Sequence, residues 1–352
     1  MIKKHHSMVV FMPIGRKSGA RFRDIAAHAK VGVATVDRVL NERGNVSAET
    51  AARVIESARI LKVKRLLPTP WQRHRRYRAI FSRQRSSVAK RLNLAFLHAA
   101  APWQGTITLE RNLVNEDDPR LYYDEIMRCV GVVDGVIIVP IDDPQVRDAV
   151  RKLSRQAPVV AIISDIRSSG RQWFVGVDNY QAGRTAGYLV ARSTPQHGKI
   201  VVLWRGPAYT GQADRVRGFT DIVKQHPPAA EVLAFSVTAE NDDTVALFMS
   251  GLFRTHSDIK AVYNAGINEA PVAAVVQRHR PAHHFCYIAH ELTADNIDLL
   301  KARVLDFIVD QNPEQQAQRA LDLLLSHDRL IEPTEIKAST AFTIHCAESL
   351  HL

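Results

Sequence analysis

Five polar side chains stand where a ligand could meet them. Asp165 closes a β-branched run, Asn264, Glu291 and Gln311 each follow one, and Arg215 lies in the first turn of a helical pattern. Carboxylate, amide and guanidinium groups together supply the donors and acceptors that a buried polyhydroxyl molecule requires, because every buried hydroxyl must find a partner. Taken singly, each is an ordinary cap or strand-end group. Five converging on one edge of two sheets point to a binding cleft. His290 beside Glu291 offers an acid–base pair, but recognition is the better reading there. No Gly-rich phosphate loop follows a strand, and no Ser-His-Asp or Cys-His arrangement can be placed. The sequence therefore predicts neither an enzyme nor a cofactor. Cys129, Cys286 and Cys346 are far apart and odd in number, which suits free thiols in a reducing cytoplasm. They show no metal-ligand spacing, and His283-His284 reads as the approach to a strand rather than a metal site.

A second constellation lies between residues 21 and 60. Ile25, Ala26 and Ala29 recur at one-turn spacing, a turn falls near Lys30-Val31-Gly32, and a second helix buries Val36, Val39 and Leu40. It turns Val33, Ala34, Asp37 and Arg38 outward. Small alanines let the helices cross closely, the geometry that pushes a second helix into a DNA major groove. A third helix begins at Ser47, whose hydroxyl can cap it, and runs through Ala51, Val54, Ile55 and Ala58. Lys30 stands where a glycine would be easiest; a left-handed lysine costs on the order of 1 kcal/mol.

Periodicity alone does not separate a DNA reader from a solvated hairpin, but charge does. Through residue 91 there are 22 Lys and Arg against five acids, 22 − 5 = +17, while the remainder carries 25 bases and 31 acids, 25 − 31 = −6. The overall +11 thus hides a basic first quarter on a mildly acidic body. That asymmetry is the footprint of phosphate binding.

The elements that position these groups form two classes. From residue 92 onward, strands at 92–98, 134–140, 159–165, 173–177, 199–204, 232–237, 260–264, 284–289 and 305–309 alternate with amphipathic helices. Alternation of this kind builds parallel sheets covered by helices, and so many units divide into two Rossmann-like lobes with the ligand site beyond the strand ends. Residues 1–20 read as a disordered extension rather than a signal peptide, since Pro13 and Arg16-Lys17 interrupt a short apolar stretch. The predicted boundaries are 21–65 for the helical domain, 66–91 for a basic linker and 92–352 for the body. No apolar run approaches the ~20 residues that span a bilayer.

From residue 21 to the end the chain resembles the LacI/GalR family of bacterial transcription regulators. The resemblance is carried by Asp24-Ile25-Ala26, Ala34-Thr35-Val36-Asp37-Arg38-Val39-Leu40-Asn41 and Val46-Ser47-Ala48-Glu49-Thr50. It continues through Val177-Asp178-Asn179-Tyr180-Gln181-Ala182-Gly183-Arg184, Arg215-Val216-Arg217-Gly218-Phe219 and Gln311-Asn312-Pro313-Glu314. It implies an α/β chain: an N-terminal all-α helix-turn-helix domain, then a two-lobed Rossmann-like type I periplasmic-binding-protein fold. It also implies a cytoplasmic homodimer on double-stranded palindromic operator DNA, with a sugar, polyol or sugar derivative as effector and no membrane partner. Val33 and Ala34 would face bases, Arg38 would read a base or brace phosphate, and Thr35, Asn41 and Ser47 would touch the backbone. Asp165, Arg215, Asn264, Glu291 and Gln311 would hold the effector. Asp178 and Asn179 match a motif that an N-cap also explains.

Two departures stand out. Pro68 and Pro70 oppose a hinge helix, leaving Leu66, Leu67 or Trp71 as possible minor-groove wedges and a flexible linker as the plainer reading. If the first strand ends near His98, the twenty residues 99–118 cannot hold both a helix and a second strand, and the first body helix is missing. A solute receptor and a degenerate regulator without effector response are the alternatives.

Overall fold

Two units make up the chain, residues 1–73 and 74–352. The structure is a computed structural model and describes residues 21–41, 43, 46–61, 63, 74–82, 87–115, 118–194, 197–226, 230–238, 241–280, 285–332 and 339–350. The expectations for residues 1–20, for wedges at Leu66, Leu67 or Trp71, and for His283-His284 lie outside the described residues.

In the first unit α1 (Phe22–Ala29), α2 (Val33–Leu40) and α3 (Ala48–Ile60) close around Ile25, Val36, Leu40, Val54 and Ile55. Ser47 caps α3, accepting from Thr50 N at 3.3 Å. Lys30 ends α1 in the left-handed region, φ 52° and ψ 49°. Lys30→Gly removes that strain and is expected to stabilise these helices by about 1 kcal/mol. The check is roughly fivefold slower amide exchange of α1 and α3 in the full chain; unchanged or faster exchange would show that the lysine costs nothing there.

The second unit opens with β1 (Arg75–Ser82), α4 (Ser87–Ala100), β2 (Ile107–Val114), α5 (Pro119–Met127), β3 (Gly135–Ile138), α6 (Pro144–Leu153), β4 (Val159–Ile162) and β5 (Trp173–Val175). There follow α7 (Asn179–Ser193), β6 (Lys199–Trp204), α8 (Thr210–Lys224), β7 (Glu231–Ser236), α9 (Asp242–Thr255), β8 (Ile259–Asn264), α10 (Glu269–His279), β9 (Cys286–His290) and α11 (Ala294–Lys301). Last come β10 (Phe307–Asp310), α12 (Pro313–His327) and β11 (Thr343–His345). One sheet runs β2-β1-β3-β4-β5 and the other β11-β10-β9-β8-β6-β7. All neighbours pair in parallel except β11, which lies antiparallel to β10.

α4 and α12 cover one face of the first sheet and α5 and α6 the other. In the second lobe α7 and α8 lie on one face, α9, α10 and α11 on the other. The chain leaves the first lobe after β5, returns to it in α12, and crosses again beside Gly176, whose carbonyl accepts from Thr340 N at 2.9 Å.

Two expectations are corrected here. The strand expected at 92–98 is the second half of α4, and the basic linker expected over 66–91 already contains β1 and the start of α4. The body begins by residue 75, one strand and one helix earlier, so its first helix is not missing. Leu92, Ala95, Phe96 and Ala99 are buried at helical, not strand, spacing. In β1 the arginines alternate with buried Tyr77 and Ala79 and are neutralised by the body: Arg75 by Asp134 at 3.0 Å, Arg76 and Arg78 by Glu110. Seven of the 22 bases counted through residue 91 therefore belong to the body. Residues 1–73 keep 15 bases against five acids, 15 − 5 = +10.

Candidate functional site

The carboxyl ends of both parallel sheets open on one cleft of about 590 Å³ between the lobes. Phe81, Leu92 and Ile163 line it from the first lobe; Arg215, Glu291 and Gln311 line it from the second. The strand-end rule anticipates this placement.

Four of the five expected cleft residues reach it. Asp165 does not. Its carboxylate is held bidentately by Arg171, at 2.5 and 2.7 Å, and lines a separate shallow pocket with Arg167 and Arg217. The cause is Ile163, whose φ of 65° breaks the strand alternation and delivers Ser164 to the cleft instead. A β-branched residue in that region is strained and must be held from outside. Gln316 on α12 accepts from Ile163 N at 3.0 Å, and Asn179 donates to its carbonyl at 3.5 Å.

Asn264 lines the cleft, yet its amide is used internally. Its Oδ1 accepts from the backbone N–H of Gly266 and Ile267, and its Nδ2 donates to the Ile267 carbonyl and to Glu269 at 2.7 Å. It builds the loop rather than offering free groups. Arg215, 4% exposed, donates from Nε to Asn179 Oδ1 at 2.7 Å and from Nη1 to the Ala265 carbonyl at 2.9 Å. Burial lowers its guanidinium from the ordinary value, with Tyr263 and Glu291 pulling the other way. A guanidinium starts high enough to stay charged. Asp178 is the N-cap of α7 through Gln181 N, whereas Asn179 fixes Arg215.

Glu291 sits at φ 73°, and its Oε1 accepts from Gln311 Nε2. Burial and the neighbouring Asp310 hold its carboxyl well above the usual range, against the pull of Arg215. Among the described residues, Glu291 Oε2, Gln311 Oε1 and His290 Nδ1 are buried without a hydrogen-bond partner. Orphaned polar atoms cost free energy unless a ligand or water meets them, so this corner of the cleft is built for an occupant.

Arg91 of α4 braces the crossover beside it, bonding Asp310 at 2.5 Å and Glu314 at 2.6 Å. Sequence reasoning missed Arg91, Tyr263 and Glu269. Only the cleft-lining acid Glu269 gave a local signal, five residues after Asn264. Its carboxyl contacts the Tyr287 hydroxyl, and burial pushes it up to about 8 although Tyr287 and Asn264 favour the ionised form. The neutral acid is thus favoured by folding: that stability is complete below the ordinary 4.5 and is lost as pH rises through about 8. Glu269→Gln keeps the neutral shape. Its urea midpoint should match wild type near pH 5 and exceed it increasingly toward pH 8; parallel curves would show that Glu269 ionises freely.

On the headpiece, Val33, Ala34 and Arg38 of α2 are exposed and Thr35 is half-buried. α2 has no side-chain cap at Gly32, which leaves its first turn open to phosphate. Asn41 and Ser47 are engaged within the protein, Asn41 donating to Asp37 at 2.7 Å and Ser47 capping α3. Asp37 also pairs with Arg43 at 2.9 Å.

Residues 129–328, more than half of the chain, match the family described as periplasmic binding protein domain. The chain belongs to that family. Residues 21–62 of this periplasmic-binding-protein-family chain match bacterial regulatory proteins of the lacI family. A lacI-type headpiece on such a body makes it a DNA-binding transcription regulator. No curated protein sequence matches the chain. Among solved structures it is similar to GanP, a glucose-galactose binding protein from Geobacillus stearothermophilus, at TM-score 0.70 and 18% identity, covering 80% of this chain and 100% of that one. An ABC transporter solute binding protein from Agrobacterium vitis with bound D-fucose gives TM-score 0.70 at 19% identity, covering 78% and 96%. A protein assigned as a LacI transcriptional regulator from Bacteroides fragilis gives TM-score 0.69 at 19% identity, covering 78% and 98%. At these identities the likeness is one of fold. Among the described residues, no helix is long and apolar enough to cross a membrane.

Proposed function

We propose that the chain is a cytoplasmic repressor that binds a palindromic operator as a homodimer and responds to a sugar, polyol or sugar derivative in the interlobe cleft. Two acceptors and a ring nitrogen, Glu291 Oε2, Gln311 Oε1 and His290 Nδ1, are orphaned together at the ends of β9 and β10, and this carries the reading. A molecule with several adjacent hydroxyls satisfies such a set, since each hydroxyl can both donate and accept, and a plain hydrocarbon does not. Glucose-galactose and D-fucose binding by proteins of the same fold supports the class of ligand. The +10 headpiece with Arg38 facing outward supports the DNA half. A ligand acts on such a protein only by binding its conformations unequally. Residues on both sides of the cleft let an open and a closed arrangement differ in affinity.

The test is capture of genomic fragments by purified full-length protein at physiological salt, with and without D-galactose, D-glucose, D-fructose, D-fucose and D-arabinose in turn. A palindromic motif beside transport or catabolic genes, released by one of these sugars, is the expected result. Recovery without any motif would defeat the operator half. A motif indifferent to every sugar would defeat the effector half.

A further inference from the structure

His290 is 6% exposed, lines the cleft at the end of β9, and has a single described side-chain partner, the Tyr263 hydroxyl 2.8 Å from Nε2. Its Nδ1 is buried without a partner. Which ring nitrogen carries the proton follows from Tyr263. That phenol is wholly buried, with its ring stacked on Phe219 at 4.6 Å, and His290 is its only described hydrogen-bond partner. With the hydrogen on Nε2, the Tyr263 O–H would donate nowhere and Nδ1 would accept nothing; donation from Tyr263 leaves only an Nδ1–H over, for an occupant of the cleft to satisfy. Nε2 is then the acceptor, and a neutral ring must carry its hydrogen on Nδ1. Burial first, and Arg215 second, keep the ring neutral.

We propose that His290 is a ligand-binding residue of this cleft, locked by the Tyr263 hydroxyl as the Nδ1–H tautomer, and that it donates to an oxygen of the bound molecule. The inference rests on the polyhydroxyl reading above and deepens it. Beside this donor, Glu291 Oε2 and Gln311 Oε1 present acceptors from the same strand end and from that of its parallel neighbour. The complement is a neutral molecule with one accepting oxygen flanked by hydroxyl donors. An analogue lacking that oxygen leaves a buried N–H unpaired, the situation that gives a polar site its discrimination. A cationic amine could meet Glu291 Oε2 or Gln311 Oε1 but would leave the Nδ1–H without an acceptor. Tyr263 is a positioning residue, acting only through the imidazole.

Two measurements on the full chain decide the matter. With ¹⁵N-labelled histidine, and His290→Gln to assign the signal, a long-range proton–nitrogen spectrum of the unliganded protein near neutral pH should show Nδ1 protonated and Nε2 bare. Tyr263→Phe should move the ring toward the other tautomer. An Nε2–H or doubly protonated ring in the wild type overturns the lock.

The second is calorimetry with the five sugars named above and, for any that binds, its monodeoxy analogues. The wild type should reject one deoxy position by about tenfold or more. His290→Leu should lose both affinity and that discrimination, and His290→Asn, which restores an N–H near Nδ1, should recover them in part. Tight binding with equal tolerance of every deoxy analogue overturns the inference and leaves the effector reading standing. Failure of all five sugars to bind overturns the effector reading, and the ligand contact with it, even where the tautomer is as described.

Discussion

Gly183→Ala is expected to destabilise the body by about 3 kcal/mol and to abolish any effector response. A Cβ at Gly183 on α7 would lie 2.0 Å from the carbonyl oxygen of Arg215 and 2.7 Å from its Cα. Gly218 on α8 returns the contact, with its would-be Cβ 2.1 Å from the Tyr180 carbonyl oxygen. Each helix thus offers a glycine to the other's backbone. No rotamer change relieves a clash with backbone, so α8 must move. That movement carries Arg215 away from Asn179 and from the Ala265 carbonyl, its two anchors at the cleft. Stability and ligand binding should therefore fall together, while the headpiece, a separate unit, keeps its DNA affinity below the unfolding transition. Gly251 on α9 is the control, because a Cβ there meets nothing within 4 Å. Gly251→Ala should be neutral or stabilising by up to about 1 kcal/mol, the helix preference of alanine. Urea midpoints of the two variants would settle the comparison, and a Gly183→Ala midpoint close to wild type would mean that α7 and α8 cross less tightly than the structure has them.

The same glycines show what was legible in the sequence. Gly183 and Gly218 lie in two of the segments that carry the family resemblance, and the crossing supplies their physical reason. Headpiece helices could be read because their signals are local: alanines one turn apart and a serine cap. Asn264, Glu291 and Gln311 could be placed because strand ends in parallel sheets open on a shared cleft. What escaped the sequence is decided at long range. Arg75, Arg76 and Arg78 look like a linker until Asp134 and Glu110 are brought beside them. Leu92 to His98 reads as a strand until α12 is packed against the helix that contains it. Asp165 was expected in the cleft because it closes the run 159–165, but the strand itself ends at Ile162. Gln316, 153 residues further on, holds Ile163 in the conformation that breaks it. His290 gains its role only when β8 sets Tyr263 beside it.

The DNA half of the reading turns on one side chain. Arg38→Ala is expected to lower operator affinity at physiological salt by ten- to a hundredfold, roughly 1–3 kcal/mol, leaving affinity for unrelated DNA almost unchanged. On α2, Val33 and Ala34 present only methyl groups, which can sense shape and thymine methyls but cannot hydrogen-bond. Asp37 is taken by Arg43 and Asn41. Arg38 is therefore the one long donor that α2 presents, and a guanidinium fork suits the two acceptors on a guanine edge. Phosphate attraction is spread over other exposed bases, including Arg23, Lys30, Arg53 and Arg59. Non-specific binding should survive with its salt dependence nearly intact, the slope of log affinity against log salt changing by at most about one. Arg38→Lys separates charge from geometry: it keeps the slope and still loses the operator preference. Equal loss on operator and random DNA, with a slope reduced by about one, would instead assign Arg38 to a phosphate, and the sequence reading would then fall to the shape of the groove that Val33 and Ala34 can feel.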